Sequence, residues 1–287
     1  VEALRELQKA SRGLPPPASI KAPPPPEKPV EPPPSPEEQK RILEQARANA
    51  LAYTKRLPDF ICLQLTRRYV DPTGLELDWY KYDEIKARLS YFEHKEDYKV
   101  ISINERLTGV SYDSLGGATS RGEFGSILEQ LFSPTTAAEF RWDRHSALQG
   151  RKVHVFRYRV PQRRSQWHIS YQRQRELIAG YNGQVYVDKE TGMVLRISSV
   201  TEDLPRDFPI HEARTTLDYG FAKIAEHDYL LPLRATVRLR EAKLLTRNEV
   251  EFRLYRKFSA EASIAFDAEA LEDKPPERPK SEDPPGQ

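Results

Sequence analysis

The chain has 287 residues with 45 basic and 43 acidic side chains, a formal net charge of +2. Charges that cancel this closely and interleave along the chain argue against a nucleic-acid binder, which gathers a basic excess onto one element. A single cysteine, Cys62, excludes an intrachain disulfide and a cysteine-based zinc site, and no apolar run is long enough to span a bilayer.

Half of the 24 prolines fall within residues 1–36, so composition divides the chain before any element is placed. Residues 1–34 read as a disordered proline-rich spacer. Leu4 and Leu7 give two apolar turns that cannot hold a helix together in water. The prolines that follow favour extended polyproline II, about 3.1 Å per residue, so some 22 residues reach roughly 70 Å. Such a segment is a tether, or a docking ligand for an envelope protein. No basic-then-apolar leader precedes it, which leaves the compartment open.

Folding is expected to start at Ser35-Pro36-Glu37-Glu38, a capping box with proline at the first helical position. Ile42, Ala46, Ala50, Tyr53 and Leu57 then recur at helical spacing and Pro58 stops the run. This predicts an amphipathic helix near 36–57. A second capping box, Ser120-Arg121-Gly122-Glu123, precedes Phe124, Ile127, Leu128, Leu131 and Phe132, and predicts a helix near 120–132.

Most of what remains alternates with period two. Leu233, Ala235, Val237 and Leu239 alternate with Arg234, Thr236, Arg238 and Arg240. Val250, Phe252 and Leu254 alternate with Glu249, Glu251, Arg253 and Tyr255. The same signal runs through Phe140/Trp142, Phe156/Tyr158/Val160, Trp167/Ile169/Tyr171 and Ile264/Phe266. Turns are marked at Asp71–Gly74, Asn182-Gly183 and Asp188–Gly192. The expected fold is mainly β with some α: a curved antiparallel sheet or half-barrel of about ten or eleven strands wrapping the two helices. It forms one domain over 35–271, with a disordered tail at 272–287.

Few residues carry chemistry. Gly116-Gly117-Ala118-Thr119-Ser120 lacks the Lys-Ser/Thr pair of a phosphate loop and reads as a loop into a helix cap. None of His94, His145, His154, His168, His211 and His227 lies three or four residues from another. His154 and His168 fall on opposite faces by period, so no metal site is expected. Cys62 sits inside a strand and reads as a small buried hydrophobe. Arg157, Arg159, Arg163, Arg164, Arg173 and Arg175 read as a charged outer sheet face plus a hairpin. Asp78, Asp83, Glu93, Glu96 and Asp97 leave a carboxylate hydrolase as a third reading, with no pair singled out. The reading leans away from an enzyme, with no catalytic residue and no cofactor. Phe124, Leu128, Trp142, Phe156, Tyr158 and Trp167 are expected to crowd one face. They either fill an ordinary core or line an apolar cavity suited to an acyl chain.

Tyr53-Thr54-Lys55-Arg56-Leu57-Pro58-Asp59-Phe60-Ile61-Cys62 and Gly116 to Gly125 resemble an uncharacterised protein family found repeatedly in acidobacterial genomes. Tyr229 to Arg234 and Asn248 to Phe258 fit it too, so the resemblance covers about residues 45–267. Members generally begin with a secretory signal, which implies a periplasmic or secreted protein; the resemblance brings no activity and no catalytic residues. More loosely, a curved antiparallel sheet over helices is similar to the lipoprotein-carrier (LolA-like) fold of the periplasm, whose concave face holds acyl chains. The expected function is an exported, non-enzymatic binding module for a lipid or the acyl chain of a lipoprotein. The alternative is a structural or interaction domain of the cell envelope, tethered by the proline-rich spacer.

Overall fold

Local sequence sets the first helix. Proline at its first position and Glu37 and Glu38 in its first turn suit the positive end of the helix dipole, and the Ser35 hydroxyl accepts from the Glu38 amide at 3.2 Å. In the computed structural model this helix, α1, spans Pro36–Leu51. A short turn, α2 (Tyr53–Arg56), continues its apolar face until Leu57 goes extended ahead of Pro58. The single helix expected over 36–57 is thus interrupted at Ala52.

The described residues are 31–93, 95–115, 124–171, 174–259, 266–267 and 269–272. Residues 1–30, Gly116–Ser120, the capping box Ser120–Glu123, His94, Arg173, Ile264 and the segment after Glu272 lie outside them. The described residues from 33 onward belong to one compact unit. The second helix, α3 (Ser126–Phe132), begins after Gly125, whose φ of 132° no L side chain readily adopts.

Twelve strands follow in chain order. They are β1 (Phe60–Asp71), β2 (Tyr80–Phe92), β3 (Lys95–Ile103), β4 (Arg106–Leu107), β5 (Glu139–Leu148) and β6 (Arg151–Val160). Then come β7 (Trp167–Tyr171), β8 (Arg175–Asp188), β9 (Val194–Glu202), β10 (Ile210–Ile224), β11 (His227–Glu241) and β12 (Leu244–Lys257). They form a curved, open, antiparallel sheet in the order β4-β3-β2-β1-β12-β11-β10-β9-β8-β6-β5, with β7 paired to the start of β8. This is the half-barrel read from the sequence, with one or two more strands. Sheet neighbours are also chain neighbours except where β6 joins β8, past β7, and where β1 joins β12 and brings the two ends of the domain together. The helices lie in the concave face, where Ala46, Ala50, Tyr53, Phe124, Leu128 and Phe132 share one core with Phe60, Tyr219, Val250 and Phe252. No helix of the described residues is long and apolar enough to cross a membrane.

Three local readings are corrected. Asn182-Gly183 is not a turn but the middle of β8, where Gly183 pairs with Tyr158 on β6 and Ser199 on β9. A Cβ there would lie 1.8 Å from the Ser198 carbonyl oxygen and 2.9 Å from Tyr158 Oη. The bare backbone lets the Tyr158 hydroxyl cross the strand to the Ser198 carbonyl at 2.8 Å and the Ser199 hydroxyl at 2.6 Å. Gly183→Ala is expected to cost about 2–3 kcal/mol by urea unfolding with an unchanged m value. A loss below about 0.5 kcal/mol would show that the strands part freely.

The second correction is at Leu254. It was read onto the dry face with Val250 and Phe252, but its φ of 53° and the register shift opposite Cys62 mark a bulge. Leu254 turns to the convex face, against the cluster of Ile61, Leu63, Ile101 and Phe266, and Tyr255 takes its place beside Phe60 and Phe124. The third is Phe266, read as a strand residue and found in a helical turn. That turn covers the convex face of β1. Asp267 pairs with Arg88 at 3.0 Å and Lys99 at 2.8 Å, and buried Lys86 donates to the Ala270 and Leu271 carbonyls. Cys62, as read, is fully buried inside β1.

Candidate functional site

Beneath α3 the concave face is filled. Phe124 is 1% exposed and its ring centre lies 5.1 Å from Phe60 and 5.3 Å from Phe252. Phe132 stacks on Phe140 at 5.3 Å. Phe156 and Tyr158 are buried in the same core, and burial pushes the Tyr158 phenol far above its ordinary range. Trp142 packs edge-on against Phe156 at 5.4 Å, and Trp167 against Tyr181 at 5.3 Å, both half-buried at the margin. The expected crowding of aromatics is real, and these side chains occupy one another's space. Of the six residues singled out in the sequence, Leu128 lines a cavity open to solvent.

That cavity, about 260 Å³, lies to the side of α3, at the end of the half-barrel where α1 and α2 meet the β8–β9 and β10–β11 hairpins. An apolar cavity of about 150 Å³ holds a benzene ring, so this one has room for a longer hydrocarbon group. Ala50, Tyr53 and Leu57 supply the helical wall and Leu128 the inner end. Val194 opens β9 with Met193 just before it, and Phe221, Tyr229 and Leu230 come from β10 and β11. The polar members are Asn49, Arg56 and Asp228.

Each wall has a reason to stay in place. The Tyr53 hydroxyl donates to the Leu230 carbonyl at 3.0 Å, which satisfies its one strong donor and fixes its ring edge-on to Tyr219 at 5.9 Å. Burial, then the nearby Tyr91 and Glu96, raise the Tyr53 phenol well above its ordinary range. The turn before β9 is built around Asp188, whose carboxylate accepts from Thr191 Oγ1 at 2.6 Å and from Arg151 at 2.7 Å. The Asp188 amide donates to the Met193 carbonyl at 2.8 Å, and Asn49 donates from α1 to the Thr191 carbonyl at 3.2 Å. Gly192 follows at φ 67°, where a Cβ would sit 2.6 Å from the Gln45 side chain. The wall carrying Met193 is therefore pinned both to its own sheet and to α1.

This anchor gives a pH signature. Burial alone raises the Asp188 carboxyl, but hydrogen bonds from Arg151 and Thr191 outweigh it and hold the carboxyl below its ordinary range. A carboxyl lower in the folded than in the unfolded state contributes stability fully above its unfolded value, near about 4. That contribution is lost as pH falls through the folded value. Asp188→Asn should melt lower than wild type at pH 7 and show a flatter fall of Tm between about pH 5 and 3. Parallel curves for the two proteins would remove Asp188 from the acid response.

The cavity mouth is open to solvent. Phe221 is 44% exposed beside it, under the guanidinium of Arg151 at 5.5 Å. Asp228 faces Lys223 at 3.7 Å. Arg56 is exposed and makes no ion pair or side-chain hydrogen bond among the described residues. The lining holds one carboxylate and no histidine, cysteine or serine, so this cavity can sequester a group but has no nucleophile with a base beside it. Two convergent carboxylates, the requirement of the hydrolase reading, are not met in it. Among the described residues no three of His, Cys, Asp or Glu gather to hold a metal ion. The period-two pattern sets His154 and His168 on opposite faces, and His154 has a different neighbour. Its partner across the β5–β6 ladder is instead His145, with ring centres 5.4 Å apart.

Sequence reasoning placed Ala50, Tyr53 and Leu57 on a buried helix face but gave them no ligand role, and it missed Met193, Phe221 and Tyr229. Phe221 carries no signal of its own: it stands between Gly220 and Ala222 in β10 and looks like another apolar residue of that strand.

No protein-family model matches the chain, and no curated relative matches it in sequence. Three solved structures are similar over most of their length. One is a LolA superfamily protein from Nitrosomonas europaea, at 10% identity and a TM-score of 0.34, covering 78% of this chain and 96% of that one. A putative outer membrane lipoprotein-sorting protein domain from Vibrio parahaemolyticus gives 11% and 0.35, covering 82% and 99%. A DUF1329 family protein from Desulfovibrio piger gives 12% and 0.35, covering 81% and 98%. At these identities and scores they assign neither a family nor an activity.

Proposed function

We propose that the domain is a non-enzymatic binding module that holds an apolar ligand, a lipid or an acyl chain, in the cavity between α1–α2 and the hairpin ends. The observation that carries this reading is an apolar cavity of about 260 Å³ in a concave face otherwise packed by aromatic rings. Removing a hydrocarbon chain from water contributes about 0.8 kcal/mol per methylene, so a chain that buries about eight methylenes gains about 6 kcal/mol toward binding, before the cost of association, without a polar anchor. The cavity is open at one end, which suits a chain that enters and leaves. The reading includes export to the periplasm or beyond, in line with the acidobacterial resemblance.

The test uses a neutral fluorescent probe, N-phenyl-1-naphthylamine, with decanol as competitor. The wild-type protein should enhance probe fluorescence saturably, and decanol should displace it. Ala50→Phe puts a ring into the cavity from α1, and should weaken probe binding at least about tenfold. An absence of enhancement, or equal binding by this variant, overturns the proposal.

A further inference from the structure

We infer that the ligand is a single-chain amphiphile with an anionic head, a carboxylate or phosphate, held by Arg56 at the mouth of the cavity. The inference rests on the proposed apolar binding and concerns what lies at the chain's outer end.

Three charged or amide side chains reach the mouth, and two are already engaged. Asn49 donates to the Thr191 carbonyl, and Asp228 has Lys223 as a counter-ion at 3.7 Å. Arg56 has no partner among the described residues. It ends α2, one turn after the wall residue Tyr53 and directly before the wall residue Leu57, so the segment that forms the apolar wall also carries the guanidinium. With Asp228 offset by Lys223, the uncompensated charge at the opening is positive. A guanidinium fork above a hydrocarbon slot matches a carboxylate or phosphate whose chain points inward. A cationic head would meet Arg56 as a like charge, and a neutral head would gain nothing from it. Because Arg56 is exposed, its effect is that of a partly solvated pair, a few-fold in affinity and reduced by salt.

Titration calorimetry with decanoate, decyl phosphate and decanol, all below their aggregation limits, tests this. Wild-type protein should bind at least one of the two anions about fivefold more tightly than decanol at low salt, and the tighter anion identifies the head. In Arg56→Gln, checked for an unchanged melting temperature, the ratio of anion to alcohol affinity should fall to about one. If decanol binds as tightly as both anions, or if the ratio survives in Arg56→Gln, the anionic-head inference fails and apolar binding stands. If none of the three binds, both fail.

Discussion

Phe124→Ala is expected to destabilise the domain by about 4 kcal/mol, near the upper end for a buried aromatic. The ring sits in the concave core among aromatic side chains of β1, β2 and β12. Besides Phe60 and Phe252 it has Tyr91 and Tyr255 with centres at 6.3 Å, from strands β2 and β12. Truncation removes the transfer free energy of the ring and leaves a void that four rigid neighbours, held by the sheet, cannot close. Edge and tilted aromatic pairs add about 0.5–1.5 kcal/mol each beyond area burial. Phe124→Leu keeps most of the volume and should cost less than half as much. Urea unfolding of both variants measures the difference, and a Phe124→Ala loss near 1 kcal/mol would mean that the space beneath α3 is loosely filled. The result bears on function, because a packed centre is what confines a ligand to the cavity beside Tyr53.

Arg68→Ala is expected to cost about 3–5 kcal/mol, through a buried ion pair near the far end of β1 rather than through apolar packing. The Arg68 and Asp83 side chains are only 12% and 8% exposed, and the guanidinium donates to both carboxylate oxygens, at 2.6 and 2.5 Å. They face each other across β1 and β2, so removing the cation leaves a carboxylate buried without its counter-ion. The pair itself need not be strongly stabilising, since desolvation of both charges offsets much of their attraction. Arg68→Met with Asp83→Leu should therefore recover most of the loss, to within about 1 kcal/mol of wild type. If the double variant is no more stable than Arg68→Ala, the penalty comes from lost packing of the arginine stem and not from the stranded carboxylate.

The parts of the fold that are legible in the sequence are those set by near neighbours. Ser35 and Pro36 announce a helix start because the first amides need an acceptor within three residues. Period-two alternation in β6, β11 and β12 reports one dry and one wet face, and with two apolar helix faces to cover it implies a curved sheet. Features set by distant strands were not legible. The Asn182-Gly183 pair has the composition of a turn, yet the glycine answers to the Tyr158 hydroxyl and the Ser198 carbonyl on either side. Leu254 obeys the alternation until a bulge opposite Cys62 reverses it, and no neighbouring residue advertises that reversal. The cavity is less legible still. Ala50, Leu128, Phe221 and Leu230 come from four separate elements and Met193 from the turn before β9, and each looks like an ordinary core residue in its own segment. Leu128 was singled out because it lies on the apolar stripe of α3, and its place at the inner end of the cavity follows from where that helix sits.

An apolar ligand in this cavity would be felt by a side chain that is simple to observe. Met193 is the protein's single methionine and lies in the cavity wall. Protein labelled with carbon-13 at the methionine methyl group therefore has one such resonance, free of assignment ambiguity. On titration with decanol that resonance should move saturably, reaching a plateau at one equivalent and with the affinity seen in probe displacement. A resonance that stays in place while decanol binds would put the ligand elsewhere on the protein and contradict the assignment of this cavity as the site.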